Sequence, residues 1–112
     1  MKVPWAVTED KVEAAIRKIV EICRPRKLVL FGSFLTENID INSDIDILVV
    51  VRDEIPDTRR ESVRIRKALR GISMSMDILV VRESRLEKLA DAPGMIYREI
   101  LTNGHVVYES GE

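Results

Sequence analysis

The chain has 112 residues, 46% of them hydrophobic and 33% charged, with a formal net charge of −1. This is a globular composition of single-domain size, expected to fold as one domain over residues 1–112, and it excludes a disordered chain. No apolar run is long enough for a bilayer, the opening MKVPWAVTED lacks the apolar stretch of a signal peptide, and the near-neutral balance argues against a nucleic-acid partner.

Thr8 is placed to cap a first helix whose opening turn carries Glu9 and Asp10, both favourable at the positive helix end. Val12, Ala15, Ile16, Ile19, Ile22 and Cys23 recur at helical spacing as one apolar stripe. Pro25 disfavours helical geometry at Arg24 and ends the helix. Cys23, the single cysteine, has no partner for an internal disulfide and reads as a core residue of a cytoplasmic protein.

A strand over 27–31 follows and stops at Gly32; residues 33–43 form a polar loop, and 45–51 a second strand. Pro56 suits the first turn of a second helix, with Gly71 near its end. Arg59, Arg60, Arg64, Arg66, Lys67 and Arg70 crowd that helix and read first as a solvated face, second as a docking surface for an acidic partner. Residues 75–81 make a third strand. Ser84 is expected to cap a short helix through Leu89, and a last helix covers 95–102 with Ile96, Tyr97, Ile100 and Leu101 inward. Asn103-Gly104 turns into a strand over 105–108. Trp5, Asp40 and His105 receive no functional role. The order predicts an α+β fold of two layers, a mixed sheet of about four strands covered by helices. The first two strands are antiparallel neighbours, because their loop is too short for a crossover helix.

The chemistry concentrates in three acids. Asp44 and Asp46 lie two apart at the head of the second strand and so project to one face, while Ile45 and Ile47 project to the other. Asp77 opens the third strand. If those strands are adjacent, the three carboxylates converge, and each charged pair repels by roughly 3–4 kcal/mol at an effective dielectric near 20. Such a cluster takes up protons or a divalent cation. Oxygen-only ligands favour Mg²⁺ or Mn²⁺, and sparse carboxylate ligation of Mg²⁺ points to a phosphate-bearing substrate. Gly32 leaves room for a phosphate against the backbone, and Ser33 offers a hydroxyl and an amide.

Gly32-Ser33, ten residues, then Asp44-x-Asp46 resembles the pattern of minimal nucleotidyltransferases of the DNA polymerase β-like superfamily, and in particular the MNT antitoxins of HEPN–MNT toxin–antitoxin pairs. The resemblance runs from the first helix to the closing Tyr-Arg-Glu-Ile…Asn-Gly segment. It implies a nucleotidyltransferase fold, transfer of AMP from ATP to an acceptor hydroxyl with release of pyrophosphate, and two Mg²⁺ or Mn²⁺ ions. It also implies metal ligation by Asp44, Asp46 and Asp77, with Asp77 helping to activate the acceptor, and phosphate binding by Gly32 and Ser33. The implied partner is a helical HEPN toxin whose tyrosine is the acceptor; homo-oligomerisation is left open. Thr36 and Glu37 depart from the motif, standing where arginine and glycine are usual, which removes one positive charge and adds a negative one. Two other readings stand beside this one: transfer to a small molecule or nucleic-acid end, and a catalytically impaired module that neutralises its partner by contact.

Overall fold

The computed structural model describes residues 8–31, 45–90, 100 and 102–110. In chain order the elements are α1 (Glu9–Cys23), β1 (Lys27–Phe31), β2 (Ile45–Val51), α2 (Thr58–Ala68), β3 (Met76–Arg82), α3 (Glu83–Ala90) and β4 (His105–Glu109). The four strands form one mixed sheet in the order β3-β2-β1-β4. β1 is antiparallel to both β2 and β4, whereas β2 and β3, joined through α2, run parallel. The expected α+β architecture, the antiparallel β1–β2 pair and the parallel pair across a helix are all present.

Strict alternation sorts the side chains of the sheet. Leu28 and Leu30 from β1, Ile45, Ile47, Val49 and Val51 from β2, and Ile78 from β3 pack against Val12, Ala15 and Ile19 of α1 and Ile65 of α2. The other face carries Val29, Leu48, Val50 and Val81, covered by Leu86 of α3 and by Ile100. Ile100 thus faces inward as expected, while Ile96, Tyr97 and Leu101 lie outside the described residues. No helix among the described residues is long and apolar enough to cross a membrane.

Local chemistry explains where the elements start and stop. Thr8 is extended and its hydroxyl accepts from the Lys11 amide at 3.3 Å. Arg24 takes a left-handed conformation, φ 48°, its amide donating back to the Val20 carbonyl at 3.0 Å. Right-handed helical geometry is disfavoured there because Pro25 follows.

α2 differs from expectation at both ends. Pro56 lies before the helix and not in its first turn, and Asp57 is the cap: its Oδ1 accepts from the amides of Arg59 (3.0 Å) and Arg60 (3.2 Å). Pro56 stands one residue ahead of it, because a carboxylate can satisfy the orphan amides of the first turn. At the other end Leu69 closes the helix and Gly71 lies exposed beyond it, with no left-handed φ to supply a stop.

Ser84 sits inside the first turn of α3, and its amide donates to Asp53 Oδ1, 3.1 Å away in the β2–α2 connection. The cap comes from a distant carboxylate instead of a neighbouring hydroxyl. That hydrogen bond, reinforced by the Ser84 side chain and by Arg82, holds the Asp53 carboxyl below its ordinary range. β3 begins and ends one residue later than predicted, and β4 extends one residue further.

Gly104 meets a tight constraint. A Cβ there would lie 2.6 Å from Val29 Cγ1 and would also collide with the Ile100 carbonyl. Only glycine allows the chain to enter β4 at that closeness.

Candidate active site

Asp46 and Asp77 are the second residues of β2 and β3, and the parallel register makes them direct partners. Both project from the sheet face opposite α1 and α2, since their neighbours Ile45, Ile47 and Ile78 fill the core on that side. Adjacent strands lie about 4.8 Å apart, so the two carboxylates stand side by side. β1 extends the row: Phe31 pairs with Asp46 in the antiparallel register, giving Phe31–Asp46–Asp77 across three strands. The next row on this face is Val29–Leu48–Leu79. Leu86 and Ile100 pack there with Val29, Leu48, Val50 and Val81.

Asp46 is half-buried. Asp77 is on the edge strand and its side chain is 75% exposed; Arg66 Nη2 reaches its Oδ1 at 3.5 Å. The same guanidinium donates to the Ile78 carbonyl at 3.2 Å. Two carboxylates some 5 Å apart repel by about 3 kcal/mol at an effective dielectric near 20. An arginine beside one of them offsets part of that.

Asp44, Gly32 and Ser33, with Thr36, Glu37 and Asp40, lie outside the described residues. Among the described residues no group of three or more His, Cys, Asp or Glu side chains is placed to hold a metal ion. The acidic pair is the described part of the expected triad.

Arg66 is the residue that sequence reasoning passed over, having read it as one of six basic side chains on a solvated face. Arg59, Arg60 and Lys67 fit that reading, being exposed. Arg64 is also tied inward, to buried Glu61 at 2.8 Å and to the Ile22 carbonyl at 2.6 Å. No spacing rule signals that Arg66 turns around the β3 edge; that follows only once β3 is known to be outermost. A groove of about 670 Å³ runs along α2, lined by Ile55, Arg60, Val63 and Lys67 among others. Neither Asp46 nor Asp77 lines it.

The family model for Polymerase beta, Nucleotidyltransferase matches residues 14–112. The chain belongs to this nucleotidyltransferase family. No curated protein and no solved structure matches it. For a nucleotidyltransferase, the row offers a donor set suited to a hard divalent cation. It is made of carboxylate oxygens, while Cys23 packs with the α1 core and His105 pairs with Leu30, both on the other face.

Proposed function

We propose that this nucleotidyltransferase transfers AMP from ATP to an acceptor hydroxyl, and that the acceptor is a tyrosine of a helical HEPN toxin that the chain silences as its antitoxin. The observation that carries the reading is the registered pair Asp46–Asp77 on adjacent parallel strands in a chain of the nucleotidyltransferase family.

In this reading Asp46 and Asp77, together with Asp44, hold Mg²⁺ or Mn²⁺. When bound, the two ions lower the pKa of the acceptor hydroxyl and neutralise charge on the triphosphate and its leaving group. The acceptor oxygen forms a bond to the α-phosphorus, the α–β P–O bond breaks, and pyrophosphate leaves with the electron pair. Asp77, the more exposed acid, stands where an incoming hydroxyl can give up its proton. Asp46, half-buried beside Phe31, keeps a fixed orientation and helps to anchor the charge centre. Gly32 and Ser33 bind the outgoing phosphates. An ATP donor fits a cytoplasmic setting.

The test is to incubate the chain with ATP, Mg²⁺ and the helical protein encoded beside it, and to weigh the products. An added adenylyl mass on a tyrosine of that protein is expected. Transfer to a small hydroxyl compound or nucleic-acid end instead would keep the chemistry and overturn the partner. Inhibition of the partner that survives replacement of both Asp44 and Asp46 by Ala would overturn catalysis in favour of binding alone.

A further inference from the structure

α2 packs on one face of the sheet and Asp77 projects from the other, yet Arg66 joins them. It can do so because, among the described residues, β3 is the outermost strand of the sheet, and no described strand blocks a side chain passing round its edge. The guanidinium makes two contacts there: the hydrogen bond to the Ile78 carbonyl at 3.2 Å and the ion pair with Asp77 at 3.5 Å. The two differ in kind. A hydrogen bond to an edge carbonyl does not depend on what occupies the acidic row, whereas a carboxylate that ligates a cation loses much of its attraction for a guanidinium.

We propose that Arg66 is a positioning residue that serves as the counter-ion of Asp77 until a divalent cation takes that carboxylate. This rests on the reading of Asp77 as a metal ligand. Without a cation, the pairing offsets the repulsion between Asp46 and Asp77 and keeps the Asp77 carboxylate at the row. When the cation enters, Arg66 is displaced from Asp77 and stays beside the row on the Ile78 carbonyl. The arrangement costs affinity for the bare ion, because cation and guanidinium compete for one carboxylate. With both side chains more than half exposed (57% and 75%), the competition is modest. An exposed pair together with the repulsion between the two cations amounts to roughly three- to tenfold in binding.

The experiment measures Mn²⁺ binding to the whole chain by electron paramagnetic resonance, in the absence of nucleotide, for the native protein, Arg66→Met and Arg59→Met. Methionine keeps an apolar stem and frees the Ile78 carbonyl to solvent, and circular dichroism checks that each variant is folded. Expected is three- to tenfold tighter Mn²⁺ binding by Arg66→Met, with Arg59→Met, an equal loss of charge elsewhere on the same helix, within twofold of native. In a parallel measurement, the Arg66 Nε–H resonance of the native protein should shift on titration with Mg²⁺. Equal or weaker binding by Arg66→Met, equal tightening by Arg59→Met, or an Arg66 resonance unmoved at saturating Mg²⁺ would each overturn the pairing while leaving the metal reading intact. No Mn²⁺ bound by any of the three proteins would overturn both.

Discussion

Asp46 and Asp77 crowd like charge onto one sheet face, an arrangement a purely structural sheet has no reason to keep. On the proposed reading, changing either to Asn removes a metal ligand and relieves the repulsion together. Nucleotidyl transfer is expected to fall at least a hundredfold, while the melting temperature holds or rises slightly. A rate assay alongside a thermal melt checks both signs, and a variant that loses activity by unfolding would separate at once from one that loses only the site. Cys23 illustrates the opposite case, a reactive group kept inert. Burial pushes its thiol up to about 11, the nearby Glu61 carboxylate adds to this, and Arg64 opposes it. The thiol stays protonated well past neutral pH, so its reaction with a disulfide reagent at pH 8 should run on the order of a hundredfold slower than in the denatured chain. The folded pKa lies above the unfolded one, so this group's stabilising contribution is intact below about pH 8.5 and declines as pH climbs towards about 11.

At the scale of elements, the connections are tied by single side chains, and these are sharp places to test. Asp53 reaches from the β2–α2 connection to the Ser84 amide. Asp53→Ala should lower the melting temperature by roughly 2–5 °C at neutral pH, the size of a lost helix cap in a domain of this length. Because the Asp53 carboxyl is depressed in the fold, the native protein's advantage over the variant is present above the ordinary carboxylate pKa near 3.9 and is lost as pH falls through the lower folded value. Melts of the two proteins between pH 7 and pH 2.5 should therefore converge. Gly104→Ala should destabilise by about 1–3 kcal/mol in a denaturant titration, since the added methyl meets Val29 Cγ1 at 2.6 Å.

The same elements show what could be read from the chain before folding. Thr8, the 3.6-residue stripe of α1 and the stop at Pro25 needed only local rules, and β1 and β2 came out with their observed ends. The Asp57 and Asp53 caps were missed for different reasons. Asp57 was overshadowed by the adjacent Pro56, and Asp53 acts across 31 residues of sequence, which no local pattern reports. Within the site, the pairing of Asp46 with Asp77 was legible as a conditional: it needed β2 and β3 to be neighbours. The Arg66 contact was not legible, because it depends on which strand is outermost.

For the whole molecule, ligand binding and stability should be coupled through the acidic row. If Mg²⁺ and ATP bind the folded chain and not the unfolded one, then at a hundred times the dissociation constant they add about 2.7 kcal/mol. A clear rise in melting temperature is expected for the native protein with Mg²⁺ and ATP together, and none for Asp46→Asn. A rise of equal size in the variant would place the nucleotide somewhere other than this row.

The sheet also separates two tasks along its strand direction. The acids sit where β2 and β3 begin, while the ties made by Asp53 to Ser84 and by Arg82 to the Ile55 and Pro56 carbonyls gather where those strands end. Five residues of strand from Asp46 to Val51 put about 17 Å between the two. Natural or engineered variation at the stapled end can therefore harden or loosen the domain against heat with little effect on turnover. Working temperature and catalytic rate become separately adjustable properties of one small scaffold.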